Sequence, residues 1–140
     1  MKGLHFCRAA AFALLCTLQD APQGHVTVVD DRTYAPAIAA GNVVVEVTAP
    51  WCAPCRALEP QYEAIARARP SIAFLRIDYD ESPAAAAAVG AASLPTIALY
   101  ANGAVRARES GIQDADPAAI RDRLERLIAQ AYPPASSAAE

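Results

Sequence analysis

The sequence predicts an α/β fold in which a central mixed β-sheet is flanked by helices on both faces. β-branched runs alternate with segments of helical periodicity along most of the chain, which is typical of parallel strands joined by crossover helices. Near the end of this alternation, Asn102-Gly103 separates two short apolar runs and favours a tight hairpin between antiparallel strands. A sheet that contains both kinds of pair is mixed.

Residues 26–29 and 43–48 are β-branched runs that predict the first two strands. The second run is almost unbroken, which is typical of a central strand covered on both faces. Between the two strands, Asp30 or Asp31 caps a helix predicted over 34–40.

Residues 52–69 predict the longest helix, because apolar residues recur there at helical spacing. Pro60 lies in its interior and is expected to kink it. A third strand follows over 72–78, and Ser82-Pro83 then supplies a cap and a first-turn proline for an alanine-rich helix.

The last third of the domain contains the hairpin and a final helix. Residues 96–100 and 105–109 are the two predicted strands, Asp116 caps the helix, and the domain ends near Tyr132. The apolar face of this helix consists of Ile120, Leu124, Leu127 and Ile128.

The composition suits one domain with an apolar core, since 54% of the 140 residues are hydrophobic and 19% are charged. We expect a leading segment at 1–24, the folded domain at 25–132 and a disordered tail at 133–140. The formal net charge is −3 and no run of Lys or Arg is present, which disfavours nucleic-acid binding. We expect a monomer.

The first 24 residues resemble a secretory signal, since Lys2 and Arg8 precede an apolar stretch over 9–18 that is too short to span a membrane. No small-residue cleavage site follows cleanly, because Pro22 comes directly after residues 19–21. The pattern slightly favours a periplasmic or exported protein, and a cytoplasmic location stays open. Cys7 and Cys16 lie in this segment, and we expect them to have no catalytic role.

Two cysteines, Cys52 and Cys55, lie where the buried strand meets the longest helix. Unpaired N–H groups and the positive end of the dipole at a helix N-terminus favour a thiolate, so Cys52 is the predicted nucleophile. Cys55 lies one turn further on the same side, where it can attack a mixed disulfide and release the reduced substrate. Pro54 fits the first helical turn and stiffens the loop.

The order of several motifs then identifies a family. They are Ala49-Pro50-Trp51-Cys52-Ala53-Pro54-Cys55-Arg56, residues 80–83, Ser93-Leu94-Pro95-Thr96, Asn102-Gly103 and Gly111. With them, residues 26–132 resemble the thioredoxin family. The resemblance implies the thioredoxin fold and a protein-disulfide reductase that works through its dithiol and needs no bound cofactor.

The resemblance also assigns a surface for substrates around the dithiol. It implies that Pro95 is in a cis peptide bond facing the two sulfurs and that the backbone of Leu94 pairs with an extended substrate. Trp51, Pro54 and Gly111 complete this surface.

Members of the family carry a buried acid under the dithiol, and Glu46 stands in its place, where aspartate is usual. Burial raises the pKa of a carboxyl group, so Glu46 is predicted to accept the proton of Cys55 through water. Arg76 stands where the family has a lysine and is predicted to pair with Glu46. Ala53 replaces the commonest glycine and Thr48 replaces an aromatic residue, and both are candidates for shifting the redox potential or partner choice.

Some of these residues also have ordinary structural interpretations. Glu46 would face solvent if its strand lay at the edge of the sheet, Pro95 would be a common first residue of a strand, and Trp51 would be a core aromatic. A CxxC motif is also half of a zinc site, but Cys7 and Cys16 are too far apart to supply the other half, so we predict no metal.

Two other functions stay open beside the reductase. One is a binding module that presents Trp51 and Leu94 to a partner and has a vestigial dithiol, which the intact cysteine pair disfavours. The other is an exported disulfide oxidant or isomerase, which keeps the chemistry and changes its direction. By resemblance, the electron donor of a reductase is an NADPH-dependent flavoprotein in the cytoplasm or a membrane electron carrier outside it, and its substrates are disulfide-bearing proteins.

Overall fold

The computed structural model describes residues 24–134. Most of the predicted leading segment, with Cys7 and Cys16, and most of the predicted tail lie outside this range. The described part consists of β1 (Val26–Val28), α1 (Tyr34–Ala37), β2 (Asn42–Thr48), α2 (Ala53–Ala68), β3 (Ala73–Asp78), α3 (Pro83–Val89), β4 (Thr96–Ala101), β5 (Ala104–Ser110) and α4 (Pro117–Ala131). No helix in this range is long and apolar enough to span a bilayer.

The five strands form one mixed sheet in the order β1-β3-β2-β4-β5, which confirms the predicted fold class. β3 pairs in parallel with both β1 and β2, whereas β4 runs antiparallel to β2 and to β5. β2 is therefore the central strand. In its register, Glu46 lies opposite Arg76 of β3 on one side and Ile97 of β4 on the other.

Helices cover both faces of the sheet. Val44 packs into a core cluster with residues of α2 and α4, and this cluster includes Leu58, Tyr62, Leu124 and Ile128. Val43, Val45 and Val47 pack on the opposite face with residues of α1 and α3. Because side chains alternate along a strand, Glu46 shares the face of Val44, which is the face under α2.

The hairpin and the longest helix follow the sequence prediction closely. Asn102 and Gly103 both have positive φ, at 51° and 80°, as a two-residue hairpin turn requires. α2 begins directly after Cys52 and continues through Pro60 as one helix, and the predicted kink stays a prediction. Asp116 caps α4 by accepting the N–H groups of Ala118 and Ala119.

Three local predictions were wrong. Neither Asp30 nor Asp31 is the cap of α1, because the N-cap residue is Thr33 and Asp30 accepts N–H groups in the turn before the helix. α1 ends at Ala37 and not at residue 40, because the N–H of Ala39 bonds three residues back to the carbonyl of Pro36 and breaks the α pattern. The side chain of Ser82 makes no capping bond to α3, although Ser82 stands at the N-cap position. Instead, Asp31 accepts the N–H of Ala85 at 2.7 Å, so the cap comes from a residue 54 positions away.

Candidate active site

The dithiol lies at the junction of β2 and α2. Cys52 has extended backbone dihedrals (φ −86°, ψ 104°) and is the N-cap residue of α2, and its Sγ accepts the N–H of Cys55 at 3.3 Å. The two sulfurs are joined in a disulfide with a Cα–Cα distance of 5.3 Å. Cys52 is 5% exposed and Cys55 is 1% exposed. The site therefore places a slightly exposed Cys52 at a helix N-terminus and keeps Cys55 almost fully buried.

Main-chain carbonyls hold the loop before the helix. The N–H of Cys52 donates to the carbonyl of Ala49 at 3.1 Å, and the guanidinium of Arg56 donates to the carbonyl of Pro50 at 2.8 Å. Pro54 stands in the first turn of α2, where its missing N–H costs no helical bond. These contacts hold the backbone of the loop that leads into Cys52.

Trp51 is an exposed aromatic residue and not part of the core. Its side chain is 64% exposed, and its indole Nε1–H donates to Oδ2 of Asp80 at 2.7 Å. Asp80 is held in a turn in which its own N–H donates to Asp78. Asp80 belongs to one of the family motifs, but no role was predicted for it. Two aspartates, Asp78 and Asp80, directly after a buried strand were the sequence signal for this turn. The indole is thus oriented and still available for contact.

A second loop lies against the dithiol. Leu94-Pro95 is a cis peptide bond, and the carbonyl of Pro95 accepts the N–H of Gly111 at 2.8 Å. Gly111 has φ of 70°, and a Cβ there would lie 3.1 Å from Oγ of Ser93, so glycine suits both the conformation and the space. Leu94 packs against the cluster formed by Ala49, Cys52 and Cys55. Leu94 therefore lies against the dithiol, and Gly111 is hydrogen-bonded to Pro95, the residue that follows Leu94.

Glu46 is fully buried and pairs with Arg76. Its side chain is 0% exposed, which excludes the solvent-facing interpretation, and its Oε2 accepts a hydrogen bond from Nε of Arg76 at 2.9 Å. Oε1 of Glu46 and Nη2 of Arg76 have no hydrogen-bond partner among residues 24–134. Burial raises the pKa of Glu46 to about 7, although the charge of Arg76 opposes the rise. The group therefore titrates near neutrality.

Arg76 is shared among three carboxylates. Besides Glu46, its Nη1 contacts Oε1 of Glu59 at 2.9 Å and Oε1 of Glu63 at 3.5 Å. Neither α2 residue was predicted as part of the site. Their signal in the sequence is an acidic pair at i, i+4 on a helix that covers the buried acid. Their negative charges add to the rise in the pKa of Glu46.

Ala53 and Thr48, the two candidates for shifting the redox potential or partner choice, border the active-site loop. Ala53 is the first residue of α2 and is exposed. Thr48, at the end of β2, lines a surface cavity of about 320 Å³ together with Arg56 and Glu59. A small polar residue at position 48 thus borders open space beside the active-site loop.

No group of three or more potential metal ligands occurs among residues 24–134. Cys52 and Cys55 bind each other in the disulfide. Cys7 and Cys16, the cysteines considered for a zinc site, lie outside the described residues.

Comparison with known proteins decides the family. Residues 25–126 match the sequence profile of the family described as Thioredoxin. The chain belongs to the thioredoxin family. The thioredoxin of Chlamydia muridarum is 38% identical over 105 residues, which cover 75% of this chain and 97% of that protein. The thioredoxin of Chlamydia trachomatis serovar D is 37% identical over 91 residues, covering 65% and 89% of the two chains.

Solved thioredoxin structures share the fold. Thioredoxin f from spinach chloroplast superposes with a TM-score of 0.67 at 28% identity, covering 81% of this chain and 99% of that one. Thioredoxin f2 of Chlamydomonas reinhardtii gives 0.66 at 25% identity, covering 78% and 98%. The thioredoxin fold and the family membership predicted from the motifs are confirmed. The chain is a thiol-disulfide oxidoreductase with protein-disulfide reductase activity, and Cys52 and Cys55 are close enough to form its redox-active disulfide.

Proposed function

We propose that Cys52 is the nucleophile and Cys55 the resolving thiol of a two-step disulfide reduction. The observation that carries this assignment is the N-cap position of Cys52, whose Sγ already accepts the N–H of Cys55. The same N–H and the helix dipole stabilise a thiolate there once the disulfide is reduced. Cys55 is more deeply buried, which suits a thiol that reacts only within the molecule.

The electrons and protons balance over the two steps. The Cys52 thiolate attacks one sulfur of a substrate disulfide, forms a mixed disulfide and expels the other substrate sulfur as a thiolate, which takes up a proton. Cys55 then loses its proton and attacks Sγ of Cys52. The second substrate thiol leaves, and the Cys52–Cys55 disulfide is formed. Two electrons have passed from the dithiol to the substrate.

Glu46 is the proposed acceptor for the proton of Cys55. It lies on the face of β2 under α2, it is buried, and its pKa of about 7 makes it a matched base at neutral pH. A carboxyl with an ordinary pKa would be a weaker base for a thiol. Water is the proposed carrier between the two groups.

The surface around the disulfide is the proposed binding site for extended segments of disulfide-bearing proteins. Trp51 and Pro54 come from the segment that carries the two cysteines, and Leu94 and Pro95 come from the loop before β4. Gly111, after β5, donates its N–H to the carbonyl of Pro95. The backbone of Leu94 is the proposed partner of the substrate chain. An exposed indole held by Asp80 provides a large apolar contact with little loss of side-chain freedom.

The protein is proposed to work as a monomer with no bound cofactor, since its two cysteines hold the electrons. A separate reductase must then restore the dithiol, and its nature depends on location: an NADPH-dependent flavoprotein in the cytoplasm, or a membrane electron carrier if the protein is exported. N-terminal sequencing of the mature protein separates these cases, because a chain starting after residue 18 is an exported one.

Alkylation kinetics test the nucleophile. In the reduced protein, we expect iodoacetamide to modify Cys52 first, with a rate that rises through a pKa well below that of a free thiol, while Cys55 reacts slowly. Mass spectrometry of peptides from quenched samples assigns the site, and Cys52→Ser serves as the control that should lose the fast phase. If position 52 is no more reactive at neutral pH than free cysteine, neither this assignment nor its helix-terminus explanation stands.

Substitution of Trp51 tests the binding surface. We expect Trp51→Ala to raise KM for a protein disulfide about tenfold, which corresponds to about 1.4 kcal/mol of lost contact, and to leave the reduction of a small aromatic disulfide nearly unchanged. Val105→Ala is the matched control, because Val105 is also an exposed apolar residue and pairs with Tyr100 at the far end of the sheet. Equal effects on both substrates would contradict a role in protein binding.

A further inference from the structure

The ion pair between Glu46 and Arg76 uses only one arm of the guanidinium. Nε binds Oε2 of Glu46 at 2.9 Å, but Nη2 and Oε1, the atoms that would complete a parallel two-bond contact, have no partner among residues 24–134. Arginine and carboxylate groups commonly form both bonds, and the two-bond arrangement is the stronger one. Here the pair forms only one of the two bonds.

Two carboxylates of α2 contact the opposite side of the same guanidinium. Glu59 contacts Nη1 of Arg76 at 2.9 Å, on the side of the guanidinium turned away from the Nε contact, and Glu63 lies at 3.5 Å from the same nitrogen. Glu63 is divided between Arg76 and Arg67, which lies 4.0 Å from its other oxygen. Glu59 is therefore the closer of the two charges to Arg76, whereas the contact of Glu63 with Nη1 has the geometry of a hydrogen bond.

We propose that Glu59, assisted by Glu63, is a positioning residue that holds Arg76 toward α2, so that Oε1 of Glu46 stays available to receive the proton of Cys55. This inference rests on the proposed role of Glu46 as proton acceptor. Glu59 does not touch the sulfurs or the substrate. It acts on the reaction through Arg76, because its contact with Nη1 limits how many hydrogen bonds the guanidinium donates to the buried Glu46 carboxylate.

The other described groups around the Glu46–Arg76 pair are not placed to hold Arg76 toward α2. Tyr62 faces it from α2, but its hydroxyl is within hydrogen-bond distance of two main-chain carbonyls, and burial raises its pKa so that it stays neutral. Ile97 of β4, opposite Glu46, is apolar. Next to β1, a surface cavity of about 340 Å³ is lined by charged and polar residues that include His25, Glu63, Arg67 and Arg76. Through this cavity, the outer side of Arg76 reaches solvent.

The test follows the titration of Glu46 directly. In the oxidised protein labelled with ¹³C-glutamate, the carboxyl signal that disappears in Glu46→Gln belongs to Glu46, and its midpoint is measured against pH. We expect Glu59→Gln to lower this midpoint by about one pH unit, because Arg76 becomes free to bind both oxygens of Glu46 and a nearby negative charge is lost. Glu63→Gln should lower it less, since its contact is longer.

Two further variants separate contact from charge. Asp122→Asn also removes one exposed negative charge, from α4, and should leave the midpoint unchanged. Glu59→Asp keeps the charge but withdraws the carboxylate by one methylene, so it should shift the midpoint in the same direction as Glu59→Gln. A Glu59→Asp midpoint equal to that of the unchanged protein, or equal shifts in Glu59→Gln and Asp122→Asn, would overturn the positioning role.

The pH profile of disulfide reduction tests whether the titration of Glu46 affects the reaction. The acidic limb contains a component from the Cys52 thiolate, which every Glu46 and Glu59 variant retains. If Glu46 is the acceptor, a second component with the midpoint measured for Glu46 disappears in Glu46→Gln and moves to lower pH in Glu59→Gln, by the amount measured in the titration. If the profile of Glu46→Gln equals that of the unchanged protein, the proposed function of Glu46 fails. If the second component disappears in Glu46→Gln but does not move in Glu59→Gln, only the inference about Glu59 fails.

Discussion

Cys52→Ser is expected to abolish the reduction of insulin disulfides, because a serine hydroxyl stays protonated at neutral pH and cannot form the mixed disulfide. The substitution changes one atom in a residue that is nearly buried, so the fold should survive it. Turnover is measured by the precipitation of insulin chains, with circular dichroism as the check on folding. Turnover that persists in both this variant and the matching Cys55→Ser variant would exclude the dithiol mechanism.

Cys55→Ser is expected to give a different defect. The first step still proceeds, but the mixed disulfide between Cys52 and the substrate has no internal thiol to release it, so a covalent complex accumulates. Non-reducing gels and mass spectrometry detect this complex, and added dithiothreitol should dissolve it. The double variant Cys52→Ser/Cys55→Ser is the control and should form no complex. If Cys52→Ser accumulates the complex and Cys55→Ser does not, the two roles are reversed.

The parts of the fold that the sequence predicts best depend on neighbours along the chain. The β-branched run 43–48 identifies the central strand because a strand covered on both faces has no polar side to alternate with. Asn102-Gly103 identifies the hairpin because few other residue pairs tolerate two positive φ angles. The strand-to-helix junction that carries the dithiol is also predicted well, because the strand pattern before it and the helical pattern after it are both local.

The missed features depend on residues distant in the sequence. Asp31 caps α3 because the fold brings the loop after β1 to the start of that helix, and Ser82 looked like the better cap only from the sequence. The sharing of Arg76 depends on the register of β2 against β3 and on the rotation of α2 about its axis. A pairing of Glu46 with Arg76 was expected from the family resemblance, but no periodicity in the sequence indicates that Glu59 competes for the same guanidinium.

Glu46→Gln is expected to stabilise the protein at neutral and alkaline pH. Burial raises the pKa of Glu46 from 4.5 to about 7 in the folded protein, so the folded state holds a proton that the unfolded chain releases. Below the unfolded pKa the carboxyl is protonated in both states and its contribution to stability is complete. As the pH rises from about 4.5 to about 7 this contribution is lost, and by about pH 8 the loss amounts to roughly 3 kcal/mol. A glutamine, which does not titrate, avoids the loss.

Urea unfolding of the oxidised protein between pH 4 and pH 8 measures this difference, since neither cysteine titrates in the disulfide. The free energies of unfolding of the unchanged protein and of Glu46→Gln should diverge as the pH rises. Glu81 is an exposed carboxylate, so Glu81→Gln is the control and should stay within about 0.5 kcal/mol of the unchanged protein. Arg76 is not left unpaired by the substitution, because Glu59 and Glu63 still contact it. A variant less stable than the unchanged protein at pH 8 would mean that the attraction to Arg76 exceeds the cost of burying the carboxylate. Glu46 would then stay ionised well below neutrality and would be a poor base for Cys55.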